Sequence, residues 1–338
     1  MRRLKEDTIL VLIPAYNEHF LKETIESALS KARNPESIFF GIFNQKSKKY
    51  DFENFDKYKN VKSINIHFDK PLGLGPARLG ASCVHDGEEF TCQIDAHTFF
   101  APNWDEYYIV NYKNLNKYIE KPIISNSLFW HGVEDYLTNE YENNFIGGKS
   151  YPLKLNIRGD TYEDHNREDE KKFLDKYIEH GLLYGGGGVF SHSDLIYEVS
   201  WNPSVMFLPE QELTALRACT RGYRIFSTEQ TVLSTLGKSS VGFEEDSFPN
   251  DFKFEFNEEE QSSHFKGDDS IWYAYLLGLK FGWYGAPSQE LYDDYVRRTN
   301  VDYRKTFRES YIGSLKKYNE KYPESSPDIR NSLKKSIY

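Results

Sequence analysis

The segment CQIDAHTFFAPNWD, residues 92–105, sets Asp95 and His97 two positions apart, just past an apolar, strand-like run. On an extended or turning backbone that spacing lets a carboxylate oxygen and an imidazole nitrogen face one point in space. A mixed oxygen and nitrogen pair of this kind suits Mn2+ or a similar borderline divalent ion better than Mg2+ alone. The same two residues also fit a plainer reading, in which Asp95 caps the next turn and His97 is merely exposed. Two other stretches carry residue types that do chemistry. Glycines 185 to 188 form an unbroken run, which either lets backbone amides approach a phosphate or sugar, or acts as a flexible turn before Val189 and Phe190. Glu210 and Glu212 flank Gln211 at the start of a helical pattern, where carboxylates also favour the helix dipole. GLGPAR opens like a dinucleotide fingerprint through Gly73 and Gly75. Arg78 stands at the third glycine position, however, and the segment follows a third strand rather than a first, which disfavours that reading.

Such residues act together only if a scaffold brings them to one edge. The pattern predicts strands over Thr8 to Ile13, stopped by Pro14, and over Ile38 to Phe43, Val61 to Phe68, Phe90 to Ile94 and Pro122 to Ser127. Between them fall helices over Phe20 to Lys31, with Leu21, Ile25, Ala28 and Leu29 at helical spacing, about Pro76 to His85, and Trp104 to Tyr118. Strands separated by helices imply an α/β fold, Rossmann-like, with a mainly parallel sheet flanked by helices and right-handed crossovers. Ligands of open α/β sheets bind outside the carboxyl ends of the strands. Asp95, His97 and the polar turn of IPAYNE all fall at such ends. Further helices are expected over Glu210 to Thr220, closed by Gly222, over Asp269 to Phe281, and from about Tyr303 to Tyr318, a helical C-terminal extension. Lone histidines such as His131 and His180 are expected to be structural.

Composition narrows the class. With 338 residues, 39% hydrophobic and 28% charged, the chain has the makings of a folded protein with a full core. The net charge of -10 argues against a nucleic-acid binder, although the last 38 residues carry nine Lys or Arg against five Asp or Glu. Residues 244–260 hold eight acidic residues and one Lys and read as an exposed insertion. Cys83, Cys92 and Cys219 are too few and too scattered for a disulfide framework or a zinc site. No run approaches the roughly 18 apolar residues of a membrane span, and the apolar ILVLI near the start reads as a strand rather than a signal peptide. The expectation is a cytoplasmic protein with no membrane partner.

Four segments follow one another over roughly residues 8–235: VLIPAYNE, GPARLGA, QIDAHTFFAPNWD and FLPEQELTALRACTRGYRIF. In type and order they resemble the GlcNAc-transferase family typified by the cytoplasmic Skp1 hydroxyproline enzyme, which is related to the polypeptide GalNAc-transferases. The resemblance implies a GT-A glycosyltransferase domain over residues 1–240; charge and helix signals add an acidic insertion at 241–265 and a helical extension at 266–338 that completes or flanks the domain. It implies that Asp95 and His97 hold Mn2+, or another divalent cation, on the diphosphate of a UDP-sugar. Pro14, Ala15, Tyr16, Asn17 and Glu18 then border the nucleotide, while Arg78, Gln93, Asp95, Gly186 and Gly187 border the donor. The family's Gly-Glu-Glu before the later helix matches Glu210 to its first carboxylate and Gln211 to its second, so the second charge is lost here or moved to Glu212. Glu210 is read as a sugar or acceptor contact, and Glu210 and Glu212 as the catalytic candidates.

One departure concerns the third metal ligand. The family places a histidine about a dozen residues after the RGY turn, where this chain has Ser234 or Thr235; the site is then completed by His264, by water, or not at all. The implied reaction is retaining transfer of GlcNAc from UDP-GlcNAc to a hydroxyl, with a protein side chain as acceptor. Transfer to a glycan or to a hydroxylated base in modified DNA is the alternative within the class. A nucleotide-sugar-binding module without turnover is the alternative outside it.

Overall fold

The computed structural model describes residues 4–68, 72–126, 128–131, 177–180, 188–203, 210–228, 230–236 and 282–299. Its strands are β1 (Lys5–Tyr16), β2 (Ile38–Ser47), β3 (Val61–Phe68), β4 (Glu88–Gln93), β5 (Thr98–Phe100), β6 (Pro122–Ser125), β7 (Phe129–His131), β8 (Ile178–His180), β9 (Val189–His192), β10 (Arg224–Ser227) and β11 (Leu233–Leu236). The helices are α1 (Leu21–Lys31), α2 (Leu74–Ser82), α3 (Trp104–Asn116), α4 (Leu195–Glu198), α5 (Glu210–Cys219) and α6 (Gln289–Thr299).

Among the described residues the main sheet runs β3, β2, β1, β4, β9, β6, β10, β8. Six of these strands point one way, and only β9 and β8 run against them. The expected α/β architecture with a mostly parallel sheet is therefore present, with β9 inserted antiparallel between β4 and β6. A second, three-stranded sheet of β5, β11 and β7 stands beside the carboxyl end of β4.

Period-two alternation on β1 divides the core. Ile9, Val11 and Ile13 pack on one face with Ile25 and Ala28 of α1 and Trp104, Tyr108 and Leu115 of α3. Leu10 and Leu12 pack on the other with Phe43, Ala77, Ala81 and Trp201. At the β6 side, Ile123 and Ile225 are covered by Leu213 and Leu216 of α5 and by Tyr292 and Tyr295 of α6. The described part of the C-terminal region thus shares a core with α5. The helices expected at Asp269 to Phe281 and Tyr303 to Tyr318, and the acidic insertion, lie outside the described residues.

Two features that position the site follow from single residues. Pro14 does not end β1, which continues to Tyr16. The N–H of Asn17 bonds to the carbonyl of Gln45 on β2, and that of Ile94 to the carbonyl of Leu12. Even-numbered residues here therefore serve the β4 side, and Pro14 falls just past the last β1–β4 pair, Leu12 with Gln93. Its missing N–H costs no ladder bond. The second feature is the closeness of α2 to the sheet. A Cβ on Gly41 would lie 2.4 Å from the carbonyl oxygen of Ala81, and one on Gly80 would lie 2.0 Å from the Phe43 ring. Only glycine lets helix and strand backbones meet this closely.

Candidate active site

The turn carrying Asp95 and His97 is fastened through the carbonyls of all three of its residues, Asp95, Ala96 and His97. Beyond the Ile94 bond to β1, the Asp95 carbonyl accepts the Thr98 hydroxyl at 2.8 Å. The Ala96 carbonyl accepts the Thr24 hydroxyl of α1 at 2.9 Å, and Thr24 in turn accepts the Thr98 N–H at 3.1 Å. The His97 carbonyl accepts the Leu236 N–H of β11 at 3.2 Å. The turn is thus held by β1, α1 and β11 together, which fixes the backbone from which both side chains project.

Glu18 lies just beyond β1. One carboxylate oxygen accepts the N–H groups of His19 and Phe20 at 2.9 and 3.0 Å, ahead of α1. The other meets Nδ1 of His97 at 2.9 Å. Burial works against the charge of Glu18, but the hydrogen bond and charge of His97 and the two backbone donors outweigh it. They hold its carboxyl below the usual value. Asn17, at φ 45°, accepts the N–H of Ser47 at 2.8 Å and ties the same turn to β2.

Beneath the turn lies a second pair. Arg78 on α2 and Glu210 at the start of α5 are 1% and 2% exposed, with Nε and Oε2 separated by 3.6 Å. Oε1 of Glu210 accepts the Thr214 hydroxyl at 3.3 Å, while Oε2 has no hydrogen bond. Burial raises the Glu210 pKa; Arg78 and Thr214 oppose the rise, and the charge of nearby Asp95 adds to it. Gln93 is buried on the same side, where it lines a cavity of about 10 Å³ with Val189, Trp201 and Thr214, space for about one water.

The structure thus brings Glu18 to His97 and Arg78 to Glu210, with Asp95 near enough to Glu210 for its charge to be felt there and Gln93 beside Thr214. Tyr16 stacks on Phe68 with ring centres 5.3 Å apart. Ala15 packs into the main core, so its methyl group is structural, and Pro14 pairs with Phe43 on β2. Glu212 belongs to α5. Gly186, Gly187 and His264 lie outside the described residues. Gly188 is described, and a Cβ there would press on Leu128 at 3.0 Å.

Ser234 and Thr235 do stand beside the metal-site candidates. Thr235 pairs with Thr98, and its hydroxyl lies 3.5 Å from the His97 carbonyl. β11 thus lies against the turn at the chain positions where the family resemblance expects a histidine. Among the described residues no three of His, Cys, Asp and Glu are grouped to hold a metal ion. Asp95 and His97 as a donor pair fit a cation that takes its remaining oxygens from a bound anion and water.

Sequence reasoning missed the carboxyl end of β2. Asn44, Gln45 and Lys46 are buried there; Asn44 donates to Glu53 at 2.8 Å, and Lys46 pairs with the same carboxylate. Gln45 accepts the Leu72 N–H at 2.8 Å and donates to the Gly73 carbonyl at 3.3 Å, which clamps the start of α2. The available signal was a polar NQK directly continuing the buried run IFFGIF.

Residues 46–235 match the family model described as Glycosyltransferase (GlcNAc). That is more than half of the chain, and the chain belongs to this family. No curated protein matches it. Among solved structures it is similar to the crystal structure of GalNAc-T7 with UDP, GalNAc and Mn2+, at 13% identity and a TM-score of 0.52 over 94% of this chain and 58% of that one. It also aligns with S. aureus TarS 1-349 in complex with UDP-GlcNAc, at 12% identity and a TM-score of 0.44 over 97% of this chain and 92% of that one. The GalNAc-T7 likeness shows the fold, that of a GT-A glycosyltransferase, and this chain spans just over half of that protein's length.

Proposed function

We propose that the protein is a metal-dependent, retaining glycosyltransferase of the Skp1 type, moving GlcNAc from UDP-GlcNAc to a hydroxyl on a protein side chain. The observation that carries this reading is the Asp95 and His97 turn, fixed at the carboxyl end of β4 with Glu18 on one side and the Arg78 and Glu210 pair beneath. Donor crevices of parallel sheets open at that edge. A divalent cation bound there supplies neutralisation of the negative charge that grows on the departing diphosphate. The chain's own part is positioning. The backbone of the turn is held by hydrogen bonds and the His97 ring by Glu18, which limits the reorganisation needed as charge develops. Arg78 keeps a buried positive charge on the same side. Glu210 offers the oxygen that has no hydrogen bond, Oε2, to a sugar or acceptor hydroxyl. GalNAc-T7, crystallised with UDP, GalNAc and Mn2+, supports the donor class.

Calorimetry with UDP-GlcNAc, UDP-GalNAc and UDP-Glc, in Mn2+ and in EDTA, tests the reading. UDP-GlcNAc is expected to bind tightest, with binding lost in EDTA and in Asp95→Asn; equal affinity in EDTA would falsify the metal site. Ser234 and Thr235 in place of a third imidazole favour one other reading, a nucleotide-sugar-binding module. Donor hydrolysis without acceptor separates the two, because a module binds the donor and never cleaves it.

A further inference from the structure

We propose that Glu18 is a positioning residue that makes His97 a ligand through Nε2, by holding the proton of the ring on Nδ1. The proposal rests on the reading of Asp95 and His97 as cation ligands. Glu18 and His97 are 79 positions apart and meet at 2.9 Å, with the Glu18 side chain 4% exposed. An ionised carboxylate only accepts hydrogen bonds, so Nδ1 must be the donor in this pair. A neutral imidazole with its proton on Nδ1 has its lone pair on Nε2, the nitrogen then able to bind a cation. Carboxylates orient metal-binding histidines in this way by fixing both tautomer and ring angle.

The other half of the carboxylate makes the arrangement testable. Oε1 is already committed to the N–H groups of His19 and Phe20. In Glu18→Gln the single carbonyl oxygen stays with those two donors, and the amide NH2 faces His97. An NH2 can only donate, so Nδ1 must become the acceptor and the proton moves to Nε2. The isosteric change therefore inverts the tautomer and blocks the ligand nitrogen. Glu18→Ala removes the acceptor at Nδ1 without putting a donor in its place. A space-filling role predicts the opposite order of damage, with the alanine variant the worse of the two.

The experiment uses the full chain with 15N-labelled histidine, free of metal, at pH 8. Long-range 1H–15N spectra are expected to show His97 protonated on Nδ1 in the wild type and on Nε2 in Glu18→Gln. Mn2+ titration followed by electron paramagnetic resonance, with UDP present, is expected to show binding weakened about 100-fold in Glu18→Gln and about 10-fold in Glu18→Ala. A wild-type ring protonated on Nε2, an unchanged tautomer in Glu18→Gln, or a Glu18→Ala variant that binds Mn2+ more weakly than Glu18→Gln overturns the proposal. A wild type that binds no Mn2+ overturns instead the cation reading beneath it, and the metal-free spectra tell the two failures apart.

Discussion

Glu210 is a carboxyl group withdrawn from water, with one cation for company. Its folded-state pKa is raised, by burial first, so the folded protein holds that proton more tightly than the unfolded chain does. Its contribution to stability is therefore full below the unfolded value of 4.5 and declines as pH rises through the raised folded value. Glu18 behaves the other way. Its lowered pKa adds stability above 4.5 that is lost as pH falls. Glu210→Gln removes the first of these slopes, so the stability of the variant relative to wild type should improve between pH 4 and pH 8 in urea titrations. If Glu210 meets the sugar or acceptor only during transfer, the same variant should lower kcat on the order of 100-fold and leave UDP affinity nearly unchanged. A helix-dipole role predicts only about 0.3–1 kcal/mol of lost stability and persistent turnover. At this scale the sequence was legible where spacing was local. The sequence sets Asp95 and His97 just past a strand and Arg78 on a helix, and the structure has them past β4 and on α2. Their partners were not legible, because Glu18 finds His97, and Arg78 finds Glu210, through tertiary packing that no local pattern encodes.

Among the elements, α2 bears the most on the site, since it carries Arg78 and lies against β1 and β2 with no room to spare. Adding a methyl group at Gly41 forces the backbone of α2 away, because the nearest atom is the Ala81 carbonyl oxygen and not a side chain that can swing. Gly41→Ala should cost about 1–3 kcal/mol by overpacking. Moving Arg78 by a fraction of an ångström should also weaken UDP-GlcNAc binding, as read by denaturation and calorimetry on the same variant. A loss of stability with full donor affinity would detach α2 from the site. The elements that sequence periodicity placed well, α1, β3 and α3, are those with clean apolar spacing or β-branched runs. Those it shortened or passed over fail for physical reasons. β2 extends through Asn44, Gln45 and Lys46, whose buried side chains reach polar partners at Glu53, Leu72 and Gly73, so hydropathy reads a turn where the strand continues. β5, β10 and β11 span three or four residues each, too few for a period to register.

For the molecule as a whole, the question is whether the C-terminal region completes the catalytic unit or only accompanies it. Tyr292 and Tyr295 of α6 are fully buried against Leu213, Leu216 and Ile225. Arg298 donates to the Cys219 carbonyl at the end of α5 at 3.0 Å. Arg217, also buried, donates to the Val199 and Ser200 carbonyls and lies 5.1 Å from the ring centre of Tyr284. Burial lowers its pKa to about 10, helped by the charge of Arg221 and opposed by Tyr284. The helix that begins with Glu210 is thus braced by residues 282–299, beyond the family match that ends at residue 235. We therefore propose that residues 282–299 belong to the same folding unit as α5. Truncating a fully buried aromatic ring costs about 3–5 kcal/mol, and here the loss should reach the site through α5. Tyr295→Ala is expected to lower the unfolding midpoint of the whole chain in a single transition and to weaken donor turnover with it. If α6 were an appendage, the variant would instead show a small early transition, with the main midpoint and the turnover of UDP-GlcNAc unchanged.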